Sequence, residues 1–172
     1  MIPHEQLIAY FENLAAQHKL IAHDKDTAKK RAFLYGDVEM LLEDIAGTHS
    51  PGYIMLLETG SGTLDGPDEV NLYDNTEVAF IICKSVREGN RAEQRTTEEA
   101  CKNLGLQIMK RIQRDRTLEV PEWLMNFDLN RVRYARVFGF GNNHFGFRFE
   151  FTITDSAQLT YNPADWSDEP ET

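Results

Sequence analysis

A chain of 172 residues fits one domain better than two, and 41% hydrophobic with 27% charged residues excludes both wholesale disorder and a fibrous class. Twenty-eight acidic residues against 18 Lys and Arg leave a formal charge of −10, which argues against a protein that coats nucleic acid by neutralising many phosphates. Direct nucleic-acid binding is not the expectation, although a local patch of Arg131, Arg133 and Arg136 beside Tyr134 and Phe138 stays open, since interleaved bases and aromatics also describe a half-buried strand.

Near the N-terminus, Leu7, Ile8, Phe11, Leu14 and Ala15 fall three and four apart, which predicts a helix from Pro3 to about Gln17. A second helix is predicted from about Asp26 to Ala46, with Leu34, Val38, Leu41, Leu42 and Ile45 on one face, Gly36 as its weak point and Gly47 as its stop. Two nearly continuous apolar runs follow, Tyr53–Glu58 and Val78–Cys83. They are too short for typical helices and read as strands covered on both faces. Thr59–Thr76, which carries Gly, Asp and Asn residues between them, reads as a long loop.

Thr96 and Glu99 have the spacing of a capping box, so a helix is expected to start there. Its apolar set is Cys101, Leu104, Ile108, Met109 and Ile112, and Lys110, Arg111, Arg114 and Arg116 crowd its C-terminal end, where positive charge suits the macrodipole. A hairpin is predicted next, Val132–Phe138 and Phe145–Ile153. In its second strand Phe145, Phe147, Phe149, Phe151 and Ile153 alternate with Gly146, Arg148, Glu150 and Thr152, so one face is core and the other polar. Residues 155–172 hold five acids and no base, with Pro163 and Pro170, and are expected to form a mobile acidic tail.

Together these elements predict one α+β domain over residues 1–154. Its mostly antiparallel sheet has about four strands, helices pack on one face, and two helices lie at the N-terminus.

No pattern in the chain assembles a catalytic, metal or cofactor site. Gly60-Ser61-Gly62 lacks the third glycine and the lysine of phosphate loops, and Asp68 and Glu69 would repel phosphate. His4, His18, His23, His49 and His144 form no short ligand pattern; His18 and His23 with Asp24 read as surface groups and His144 as a turn residue. Adjacent acids such as Glu43-Asp44 and Glu98-Glu99 supply only solvated charge. Cys83 and Cys101 read as two buried, reduced thiols in a cytosol-like compartment. The N-terminus shows no basic leader followed by an apolar run, and no apolar run approaches the roughly 20 residues that span a bilayer as a helix. A cytoplasmic, non-catalytic protein without cofactor, metal or membrane partner is expected.

Charge is distributed unevenly. Residues 87–148 hold 12 bases and 8 acids, so the rest of the chain is strongly acidic. Such asymmetry lets the basic part of one subunit meet an acidic part of the next, a head-to-tail contact that closes into a ring if the rotation permits.

Phe127-Asp128-Leu129-Asn130-Arg131-Val132-Arg133-Tyr134, the Gly- and Asn-bearing turn after it, and Gly146-Phe147-Arg148-Phe149-Glu150-Phe151 resemble small proteins of Bacteroidetes prophages and contractile-tail clusters. The similarity extends over roughly Tyr53 to Thr154, and the order of elements is similar to phage tail-terminator, or tail-completion, proteins. That resemblance implies a ring of identical subunits, hexameric by analogy, which caps a tail tube and joins it to tube or connector proteins, in a virion or a contractile particle. The contact residues it nominates are Arg131, Arg133, Arg136, Phe140, Asn142, Asn143 and His144. Two other readings stay open. One is a small-ligand-binding domain or enzyme with a pocket between sheet and helices, which burial of Arg148 or Glu150 would favour; the other is an adaptor working through the acidic tail.

Overall fold

The alternating phenylalanines build the strand on which the other elements converge. A computed structural model describes residues 4–24, 26, 31–46, 52–67, 71–140 and 143–157. Three helices, α1 (His4–Gln17), α2 (Val38–Ala46) and α3 (Arg91–Thr117), accompany five strands: β1 (Phe33–Gly36), β2 (Ile54–Asp65), β3 (Leu72–Ser85), β4 (Arg133–Phe140) and β5 (His144–Ala157). The strands form one sheet in the order β1-β2-β3-β5-β4. All neighbours are antiparallel except β1 and β2, which run parallel and are joined through α2. The class is α+β.

Strand period two divides the sheet's apolar residues between two cores. On one face Met55, Leu57, Val78, Phe80, Ile82, Phe149, Phe151 and Ile153 pack under α1 and α3. On the other, Ile54, Leu56, Ile81 and Cys83 meet Leu34 and the α2 residues Leu41 and Ile45. Burial from both sides explains why Ile54–Leu57 and Val78–Cys83 read as unbroken apolar runs. Helices therefore cover both faces, not the single face expected, and α2 is the element on the second.

The predicted second helix is also corrected. Residues 33–36 are the edge strand β1, and the helix begins only at Val38, with Asp37 Oδ1 accepting from the Met40 amide at 2.8 Å. Ala32, Phe33 and Leu34 are consecutive and all buried, which a helix with one covered face cannot arrange. Likewise Thr59–Thr76 is not a loop for most of its length: β2 and β3 stay paired out to Asp65 and Tyr73, past an irregularity between Glu58 and Ser61. Helix α3 starts at Arg91. Its cap is Asn90, whose side chain accepts from the Glu93 amide, while Thr96 sits inside the helix and donates to the Ala92 carbonyl. Strand β5 runs on through Asp155–Ala157, three residues past the predicted domain border, and Ala157 pairs with Leu72. The remainder of the predicted tail, 158–172, lies outside the described residues.

Candidate functional site

The fold separates an acidic run from a basic one, although exposed Arg31 stands just before β1. At the β1 end, residues 36–46 contain Asp37, Glu39, Glu43 and Asp44 and no base, and all four acids are exposed on or beside α2. Among the described residues β4 pairs only with β5 and forms the other edge of the sheet. Residues 129–143, which lead into that strand and out of it, contain Arg131, Arg133 and Arg136 and no acid.

The predicted contact residues do not all share one surface. Arg131 ends a short 3-10 turn, Leu129–Arg131, with its side chain 81% exposed and Nε 3.5 Å from Asp128. Arg133 begins β4 opposite Glu150, on the α2 face of the sheet. Arg136 points the other way, toward α3, where Nε lies 3.4 Å from Glu98. Exposed Tyr134 lies on that same side, near the rings of Phe147 and Phe149 and under the Lys102 ammonium. Phe140 closes β4 in register with His144. Asn143 adopts φ +64° and its carbonyl accepts from the Val86 amide. His144 is only 2% exposed and opens β5, so it is a packed strand residue and not the turn residue expected. Asn142 lies outside the described residues.

His23 is likewise corrected from surface group to buried fastener. Its Nδ1 accepts from the Ala32 amide at 3.1 Å and Nε2 lies 3.2 Å from Glu12, which ties the chain before β1 to α1. His18 instead meets Gln107 of α3. Among the described residues no group of three His, Cys, Asp or Glu side chains could hold a metal ion.

Where α2 stops covering the second face, the sheet turns polar. Arg148 of β5 reaches across β3 to Glu58 of β2, with Nη2 2.7 Å and Nε 2.9 Å from its carboxylate, and also binds Glu150 on its own strand. The Arg148 side chain is 32% exposed and Glu58 12%. Hydrogen bonds to Glu58 are the main reason the guanidinium is held protonated even more firmly than usual, with Glu150 adding to it and partial burial opposing. One cation bridges both carboxylates, and the trio keeps a net charge of −1. This is a cross-strand clasp, not the buried polar centre that the ligand-binding reading requires.

A second polar cluster, not anticipated from sequence, lies between α1 and the end of α3. Tyr10 donates to Asp115 at 3.0 Å, and Arg111 Nε donates to the same carboxylate at 2.8 Å. Burial first, then the Asp115 charge, pushes the Tyr10 phenol well above its ordinary range. A groove of about 580 Å³ runs beside this cluster, walled by Leu14, Leu118, Val120 and Trp123. The signal that could have found part of it is the i,i+4 spacing of Arg111 and Asp115 on α3.

No family model matches this sequence, and no curated protein matches it either. Among the described residues no helix is long and apolar enough to cross a membrane.

Proposed function

We propose that this chain is a non-catalytic assembly subunit that joins copies of itself head to tail, the acidic α2 end of one sheet against the basic β4 edge of the next. The observation that carries the reading is the separation of two charged runs: Asp37, Glu39, Glu43 and Asp44 on or beside α2, which covers one sheet face, and Arg131, Arg133 and Arg136 in and beside the β4 edge strand. Two different patches that complement one another make a heterologous contact, which generates a ring or a filament and not a closed dimer. Each end also exposes one large apolar side chain, Met40 on α2 and Tyr134 on β4, the kind of anchor that supplies affinity at a contact whose charges supply register.

A ring of this kind is what a phage-like tail terminator or tail-completion protein uses to cap a tail tube, and we assign the chain to that role. The sequence resemblance over Tyr53–Thr154 supports it. Native mass spectrometry from low to high ionic strength tests the assembly. A single closed oligomer at low salt that dissociates as salt rises is expected. A monomer at every concentration and salt overturns it.

A further inference from the structure

We infer that the groove between α1 and the C-terminal end of α3 is the docking site of the chain's own C-terminal segment, residues 158–172. The groove is apolar and open. Leu118 and Val120, two of its walls, are 59% and 66% exposed, an unusual cost for side chains of that size. Arg111, Arg114 and Asp115 line the same groove; Asp115 is held by Arg111, and Arg114 is exposed, so its walls are greasy and Arg114 supplies the cation at its rim. Within it the Trp123 indole Nε1 is shielded from solvent and has no hydrogen-bond acceptor among the described residues.

The C-terminal segment has the complementary chemistry. It carries Leu159, Tyr161 and Trp166 together with Asp165, Asp168, Glu169 and Glu171, and no base. Its aromatic and aliphatic groups match the Leu118 and Val120 walls, its carboxylates match the arginine rim, and its carbonyls or carboxylates can accept from Trp123.

The segment also starts in the right place. Asp155, two residues before the described chain ends, lines a smaller depression with Gln6, Pro121 and Trp123, and those three residues line the groove as well. Fifteen residues at about 3.3 Å each reach roughly 50 Å, far more than is needed to enter a neighbouring groove. Tethering at that point gives an effective concentration on the order of millimolar, so docking on the same copy outcompetes docking on another.

The test uses the full-length chain labelled with 5-fluorotryptophan, whose two fluorine resonances, Trp123 and Trp166, are assigned with Trp166→Phe. Docking displaces the Trp166 resonance from the position of the free amino acid. Arg114→Glu and Leu118→Asp each return it to that position, while Trp123 stays displaced and reports that the fold is intact. The inference is overturned if Trp166 resonates at the free position in the unaltered protein, or if neither substitution moves it. It is equally overturned if the Trp166 displacement disappears on dilution, since the occupant is then a second copy. None of these outcomes depends on whether the sheet ends assemble.

Discussion

Gly105 of α3 lies directly against the ring of Phe149 in β5, so closely that a Cβ at position 105 would overlap the ring carbons Cε2 and Cζ. Both residues are buried, and Phe149 in turn stacks on Phe80 of β3 with ring centres 5.1 Å apart. The longest helix is thus held to the centre of the sheet through a site that has no space for a methyl group. Gly105→Ala ordinarily favours a helix by about 1 kcal/mol. Here overpacking outweighs propensity, and the substitution is expected to destabilise by about 1–3 kcal/mol, measured by urea unfolding. A more stable Gly105→Ala protein would mean that α3 does not sit on Phe149.

The Arg148 clasp makes a different demand. Removing the cation leaves the Glu58 carboxylate, mostly covered, without its partner. Arg148→Met is expected to cost about 1–3 kcal/mol, and adding Glu58→Gln should recover part of that loss, because the uncompensated charge disappears. Strict additivity of the two substitutions in denaturant melts would show that the pair does not interact.

Burial also sets how the thiols behave. Both cysteines are buried and free. Desolvation pushes the Cys101 thiol from its ordinary 9.0 up to about 12, against the opposing charge of Lys84, and drives Cys83 upward as well. The native Cys101 thiolate is therefore about a thousandfold scarcer than in the unfolded chain near neutral pH. Ellman's reagent at pH 8 should label neither thiol until denaturant is added. The raised folded value means that the unfolded chain releases its protons first. Stability is full below about pH 9 and falls as pH climbs toward 12, by about 1.4 kcal/mol per unit for the Cys101 thiol. Cys101→Ser should reduce that alkaline slope, the remainder coming from Cys83 and Tyr10; an unchanged slope would place its origin elsewhere.

Elements whose apolar residues follow a single period were legible in the sequence. Helix α1, the body of α3 and the phenylalanine-rich strand β5 show one, while the inner halves of β2 and β3 were legible as short unbroken apolar runs buried on both faces. The failures occurred where two signals overlapped. Leu34, Val38, Leu41 and Ile45 fit a helical stripe, although Leu34 reaches the second core from a strand and Leu41 and Ile45 from a helix. The outer halves of β2 and β3 bury little, so their glycines and acids looked like loop while backbone pairing continued to Asp65. Asn90 with Glu93 and Thr96 with Glu99 are competing caps six residues apart, and composition alone does not choose between them.

Legibility of the candidate site was divided in the same way. The basic run around β4 was visible as a run of arginines, but strand alternation sends Arg133 and Arg136 to opposite faces. The acidic end was visible only as ordinary helical charge. Its meaning depends on β1 being the opposite edge of the sheet, a fact of topology that no local pattern encodes.

Charge-swap complementation tests head-to-tail assembly most directly. One full-length variant carries Arg131→Glu and Arg133→Glu, the other Glu39→Lys and Glu43→Lys, all at exposed positions. Each alone should sediment as a monomer at low salt, and an equimolar mixture should recover association, because the reversed β4 edge of one now faces the reversed α2 end of the other. Variants that associate as well singly as the unaltered chain does, or a mixture that stays monomeric while the unaltered chain assembles, would contradict it.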